Sequence, residues 1–385
     1  MLLLTAATFA AAGGIHYQTP MLGAMAAEFG ADSATIGWIP TLTFGGFLVG
    51  IVLIVPLGDR IDKRRLIITQ HCATIVALLA AGAATSVATA AASGFLIGLC
   101  ACYAQNIVPM VAELAPPAGR GRSVGTVLTA LFLGILFARI TGGIVAAELG
   151  WRWMYVLGAV LLTLIVPALI ARLPHSTPKT TLAYPELLAS MLSLARIHAD
   201  MRRVVAIQLL LGICYGGFWA TIATMLLQFH NLGPTAAGLI GIPGAAGILI
   251  ARPAGRLLDL RGPALIVTTG IALIIAAYGV FAFGVWWPAA LAVGAALLDS
   301  GLRAAMVANQ TVVNSLAPEA RSRSNTVFGL SVWSGNAIGA FIATSALAAS
   351  GWLAVCAISA LSASAALGVQ LRAMKIGVRH RIQRP

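Results

Sequence analysis

The sequence predicts an all-α polytopic membrane protein, with twelve transmembrane helices arranged as two parallel six-helix repeats. Three observations carry that expectation. Of 385 residues, 59% are hydrophobic and only 9% are charged, whereas a soluble globular chain is about 25% charged. The apolar residues form runs that match the roughly 20 residues a helix needs to cross a bilayer. Landmark segments also recur along the chain at one spacing. A soluble enzyme, a disordered chain and a fibrous chain are excluded by the first observation alone.

The runs follow in order. The first fourteen residues, Met1 to Gly14, resemble the apolar part of a signal peptide, but no Lys or Arg precedes Arg60. They read as the start of a retained first helix. The twelve spans are expected near 2–27, 34–56, 66–86, 90–112, 123–147 and 151–172, then 204–229, 235–254, 264–285, 287–315, 325–347 and 351–372. The one long polar segment, with Pro174, Pro178, Pro185, Lys179, Arg196 and Arg202, reads as a linker. The expected organisation is an N-terminal six-helix bundle (1–173), a linker (174–203), a C-terminal six-helix bundle (204–373) and a basic tail (374–385).

The net charge of +13 first suggests nucleic acid, but the placement of the basic residues redirects it. Arg60, Lys63, Arg64 and Arg65 follow span two, and Arg120 and Arg122 follow span four. The linker region holds Arg172, Lys179, Arg196, Arg202 and Arg203. Arg252, Arg256 and Arg261 follow span eight, Arg321 and Arg323 follow span ten, and five more lie in the tail. These are 21 of the 24 basic residues, all on one side of the membrane. By the positive-inside rule that side is cytoplasmic, and both termini with it. The partners expected are a small-molecule substrate, protons and the lipid bilayer, with no nucleic acid, and the chain is expected to act as a monomer. Five cysteines inside apolar runs, without metal-site spacing, read as small buried hydrophobes.

The repeat is explicit. Leu114-Ala-Pro-Pro-Ala-Gly-Arg120-Gly-Arg122-Ser123 returns as Leu316-Ala-Pro-Glu-Ala-Arg321-Ser-Arg323-Ser324. Asp59 corresponds to Asp259, and Gly150-Trp151 to Gly351-Trp352. The offsets are 202, 200 and 201 residues. Because six is even, the two copies insert in the same orientation, as parallel repeats about an axis along the membrane normal. Trp151, Trp153, Trp286, Trp287 and Trp352 are expected at the outer ends of spans, in an interfacial belt.

With these residues quoted, the whole chain resembles the major facilitator superfamily. That family's signature between spans two and three is Gly-x-Leu-x-Asp-Arg-x-Gly-Arg-Arg. Here it reads Val55-Pro56-Leu57-Gly58-Asp59-Arg60-Ile61-Asp62-Lys63-Arg64, with Val55 and Asp62 replacing the framing glycines. The second copy, Gly255-Arg256-Leu257-Leu258-Asp259-Leu260-Arg261-Gly262, keeps both. The span-five motif of the drug:proton antiporter branch, Gly-x-x-x-Gly-Pro-x-x-Gly-Gly, appears as Gly134-Ile-Leu-Phe-Ala138-Arg139-Ile-Thr-Gly142-Gly143, with arginine in the proline position. The resemblance implies the major facilitator fold and transport by alternating access. It gives a gating role to Asp59, Arg60, Asp259 and Arg261, and to Gly134, Gly142 and Gly143. The alternative for the loop charges, above all Lys63, Arg64 and Arg65, is a solvated set that only fixes topology.

Ionisable side chains at bilayer depth are costly and mark function by default. Asp299 and Arg303, four residues apart on one helical face, and Arg139 in span five are the three expected there. They read either as a breakable ion pair that changes partner between states or as a structural lock. His16 and Tyr17, beside Pro20 in span one, read as cavity lining at a bend, with His16 a proton carrier or simply hydrogen-bonded. The family's proton-coupled members carry a carboxylate in span one; here residues 2–27 have none. Gln105 and Asn106 in span four, and Asn309 and Gln310 in span ten, are placed as related amide pairs for a polar substrate or for helix–helix bonds. Tyr215 and Trp219 suit an amphipathic substrate. No nucleotide fingerprint and no metal-ligand cluster is seen, so no cofactor and no enzyme are expected. The function expected is proton-coupled efflux of amphipathic or drug-like compounds across a bacterial inner membrane. The alternative is uptake or facilitated diffusion of a small metabolite, and a non-transporting receptor or enzyme comes last.

Overall fold

The computed structural model describes residues 1–116, 120–176, 184, 186, 199–245, 247, 257, 260–316 and 321–382. Its helices are α1 (Leu2–Gly14), α2 (Leu22–Phe29), α3 (Ser33–Ile36), α4 (Trp38–Leu53), α5 (Lys63–Gly82), α6 (Val87–Cys100), α7 (Ala104–Leu114), α8 (Arg120–Glu148) and α9 (Trp151–Arg172). After the linker come α10 (Ala199–His230), α11 (Pro234–Leu239), α12 (Gly241–Gly244), α13 (Pro263–Ala282), α14 (Ala289–Leu316), α15 (Arg321–Ser350) and α16 (Trp352–Ile382). Among the described residues, 10 helical stretches are long and apolar enough to cross a membrane. They coincide with ten of the twelve expected spans; span one is built from the shorter helices α1 and α2, and span eight lies partly outside the described residues. The chain divides into two compact units. One is Met1–Leu188 with Ile222–Leu239, and the other is Ala189–Thr221 with Ile240–Pro385.

Span one is broken where the sequence places Pro20. Between α1 and α2 the backbone runs through turns, with Thr19 N–H bonded to the His16 carbonyl and Met21 N–H to that of Gln18. Proline offers no N–H and disfavours helical backbone at the preceding residue. Irregular backbone inside a membrane is tolerated only when buried in protein, and residues 15–21 are all buried. Thr43 of α4 donates to Gln18 Oε1 at 2.9 Å and anchors the break from the side.

The repeat reappears as geometry. A methyl group placed on Gly134 of α8 would overlap the carbonyl of Phe9 in α1, and one on Gly335 of α15 would overlap that of Leu209 in α10. Phe9 and Leu209 lie 200 residues apart, and the two glycines 201. Each glycine lets two helix backbones approach closely, the main route to tight helix packing in lipid.

The corners repeat as well. Gly150 has φ 92° and Gly351 φ 76°, a left-handed region that glycine enters without strain. The tryptophan after each corner corrects an expectation, because Trp151 and Trp352 are buried rather than interfacial. The Trp151 indole N–H donates to Glu28 at 2.6 Å and that of Trp352 to the Phe281 carbonyl at 2.7 Å. Trp153, Trp286 and Trp287 stay exposed. The reason is register: the first residue of a helix turns back over the preceding corner, while Trp153, two positions on, faces outward.

Candidate substrate and gating sites

In the second unit the functional candidates converge on α14. Asp299 is 3% exposed, and its Oδ1 stands 3.9 Å from Arg303 Nη2, an ion-pair distance too long for a hydrogen bond. The other carboxylate oxygen lies 3.2 Å from where a Cβ on Gly244 would sit, and Trp219 Cζ2 lies at 3.2 Å from the same point. Gly244 thus leaves room beside both a carboxylate and an indole edge. Tyr215, one turn before Trp219, is also buried, with ring centroids 6.2 Å apart. Nearer the cytoplasmic end expected for α14, Asn309 Nδ2 approaches Gln208 Oε1 at 3.4 Å. Gln208 went unnoticed in the sequence, although an amide inside an apolar run was its signal. Gln310 is exposed and reaches Asn325 at 3.5 Å, so of this amide pair Asn309 is the buried member.

In the first unit, Arg139 is 3% exposed on α8. With arginine in the proline position, α8 runs unbroken for 29 residues. The glycines of its motif serve three different approaches. Gly134 meets Phe9, Gly142 meets the Tyr17 carbonyl and Pro20, and Gly143 meets Pro234 of α11. Gly238 of α11 in turn lies against the Arg139 carbonyl. His16 and Tyr17 are buried in the break of span one. Tyr17 also lines a lateral apolar cavity of about 260 Å³ with Phe9, Phe137 and Leu157. Asn106 is buried and its side chain covers Gly58, where no Cβ would fit, whereas Gln105 is exposed.

A further buried polar group lies on α5. His71 of α5 is fully buried inside span three. Its Nδ1 lies 2.8 Å from the Ile67 carbonyl, and its ring is centred 3.9 Å from that of Tyr103.

The loop between α4 and α5 holds a second correction. Lys63 and Arg64, expected to be solvated, are structural. Lys63 is 3% exposed and pairs with Glu113 at 2.6 Å; Arg64 bonds His175 and the Ile170 carbonyl. The loop is compact enough to bury their stems against the ends of α7 and α9. Asp59 is half-buried and Arg60 exposed, and among the described residues Asp59 forms no ion pair. Arg261 is exposed, and Asp259 lies outside the described residues. On the opposite side, Arg152 pairs with Glu28 at 2.5 Å, stacks on Trp151 and donates to the Ala84 carbonyl. Among the described residues no group of three or more His, Cys, Asp or Glu could hold a metal ion.

Known proteins match this arrangement. The chain is 33% identical over 357 residues to an Escherichia coli protein named "Uncharacterized transporter YgaY", covering 92% of this chain and 91% of that one. It is 27% identical to a Mycobacterium tuberculosis protein named "Multidrug resistance protein B homolog", covering 81% and 69%. Its fold matches the crystal structure of the nucleoside transporter NupG with a TM-score of 0.78, at 14% identity and over 97% and 98% of the two chains. Residues 4–340 match the sequence profile of the Major Facilitator Superfamily. The chain therefore belongs to the Major Facilitator Superfamily and is a twelve-helix, multi-pass membrane transporter of small molecules rather than an enzyme.

Proposed function

We propose that this protein exports small amphipathic molecules by alternating access, in exchange for protons. The observation that carries the reading is Asp299: a carboxylate 3% exposed on an apolar helix, 3.9 Å from Arg303 and lying, like the Trp219 indole, against Gly244. A carboxylate held in a bilayer core exacts a cost that a static packing role does not require. A loose pair lets it exchange Arg303 for a proton or for a cationic substrate group. Trp219 and Tyr215 supply apolar surface for the rest of an amphipathic molecule. The likeness to the multidrug resistance homolog supports export.

In this reading residues 1–173 and 204–373 are the two moving bundles, and Arg139, His16, Asn106 and Asn309 belong to the substrate and proton path with Tyr17, Gln105 and Gln310. Asp59, Arg60, Asp259 and Arg261 act at the cytoplasmic gate, and Gly134, Gly142 and Gly143 allow the helices to close. The basic residues set the orientation, with both termini in the cytoplasm of a bacterial cell, and the transporter works as a monomer without nucleic acid.

The test is a proteoliposome assay. Substrate-driven proton movement is expected, reduced at least about tenfold in Asp299→Asn, which corresponds to roughly 1.4 kcal/mol. Transport indifferent to a pH gradient, or unaffected by the substitution, rules out antiport and favours uptake or facilitated diffusion of a metabolite.

A further inference from the structure

Asp62 is one of the two residues by which this chain leaves the family signature, standing where that signature has its second framing glycine. Its carboxylate is fully engaged. Oδ1 accepts from the Arg64 N–H at 3.0 Å, which caps the start of α5. The same oxygen accepts from the Ser176 N–H at 2.9 Å and from its hydroxyl at 3.2 Å. Oδ2 lies 2.6 Å from His175 Nδ1. The far ring nitrogen, His175 Nε2, lies 2.6 Å from Arg64 Nη1. A guanidinium can only donate, so Nε2 accepts, and the proton of a neutral ring sits on Nδ1 and points at Asp62. Ser176 completes the circuit by accepting from the Lys63 N–H at 2.7 Å. A little further along, Tyr184 Oη donates to the Leu53 carbonyl at 2.6 Å.

Burial pushes the Asp62 carboxyl up, but the bonds from Ser176, His175 and Arg64 outweigh it and hold it at about 2. A depressed value keeps the charge, and the stability it lends, above the ordinary carboxylate range; both are lost only as pH falls towards 2. The anchor is therefore charged at any pH a cell would meet.

We propose that Asp62 is a docking post for the start of the linker. It clasps His175 and Ser176 to the loop between α4 and α5, so that the chain leaves α9 from one fixed point. Asp62 is a positioning residue: it touches none of the candidate substrate groups and acts through the segment it holds. Glycine at this position, as in the signature, would leave the loop fold available and the linker undocked.

The docking can be read without any substrate, by hydrogen exchange with mass spectrometry on the purified full chain. In Asp62→Gly the peptide containing Ser176 is expected to exchange roughly tenfold faster, the minimum for losing one charge-assisted hydrogen bond. Peptides from the middle of α9 should keep their protection. The milder His175→Ala should speed exchange by less. An unchanged Ser176 rate in Asp62→Gly overturns the proposal. If Asp62→Gly instead loosens α9 as well, His175→Ala decides, and an unchanged rate there overturns it too. The consequence for transport rests on the function proposed above and is separately visible. Turnover should change in Asp62→Gly with KM unaltered, whereas a raised KM at intact turnover would assign Asp62 to substrate binding. Failure of the antiport reading leaves the exchange result untouched.

Discussion

Span one and span seven begin the two repeats, and they differ in continuity. In span seven, α10 runs without interruption for 32 residues; span one breaks over residues 15–21. At the 200-residue offset, Pro20 corresponds to Ala220. Proline thus stands in a bend that carries His16, Tyr17 and Gln18, where the uninterrupted helix has alanine. The charges obey the same logic. Asp299 and Arg303 correspond, at an offset of 202, to Ile97 and Ala101, and Arg139, at 201, to Ala340. The helix contacts are duplicated and the buried charges are not. Scaffold was copied, while the buried charges lie where the copies diverged, as expected when fold and function reside in different residues.

Four experiments break or sharpen this comparison. Ala220→Pro should impose the span-one break on α10 by removing a backbone bond and pressing the ring on the Gly216 carbonyl. The expected loss is about 3 kcal/mol in detergent unfolding, and a neutral outcome would mean that the break in span one is not proline's doing. Gly134→Val and Gly335→Val test the duplicated contact. Each should cost about 2 kcal/mol through overpacking, and unequal costs would show that the two approaches differ in tightness. Trp352→Phe should lower stability by about 1 kcal/mol through its lost hydrogen bond. Trp153→Phe at an exposed site is the control, expected within about 0.5 kcal/mol of wild type.

The smallest effect belongs to Glu28. Hydrogen bonding from Arg152, opposed by burial and joined by the Trp151 bond, holds its carboxyl below the ordinary 4.5. A depressed acid contributes stability above its unfolded value and loses it as pH falls through the folded one. The Glu28→Gln difference in thermal midpoint should therefore be present at neutral pH and vanish in acid. Both partners are more than a third exposed, so it should stay under about 1 kcal/mol. A difference that persists in strong acid would assign the effect to packing.

Much of this was legible in the residues. Ten of the expected spans match apolar helical stretches, and the Gly150 and Gly351 corners and the bend at Pro20 stand where glycine and proline demanded them. The misses share a cause. Lys63 and Arg64 look like loop charges because a string of basic residues gives no sign of Glu113, 50 residues away, or of His175, 111 residues away. Trp151 and Trp352 were assigned to a belt by their place at span ends, since position along a helix does not say which way its first residue turns. Gln208 was passed over because one amide in an apolar run is a common sight, and its partner Asn309 lies 101 residues on.

The sequence by itself determined the solvent, the number of crossings, the duplication and the sidedness of the charge. Each of these is a sum or a period along the chain, set by the cost of placing polar groups in lipid. Tertiary structure alone decided how closely the members of each charge pair approach. Lys63 meets Glu113 at 2.6 Å between two helices, whereas Asp299 and Arg303 stay 3.9 Å apart on one. Ion-pair strength depends on a few tenths of an ångström and on the surrounding dielectric, and neither is written in the order of residues.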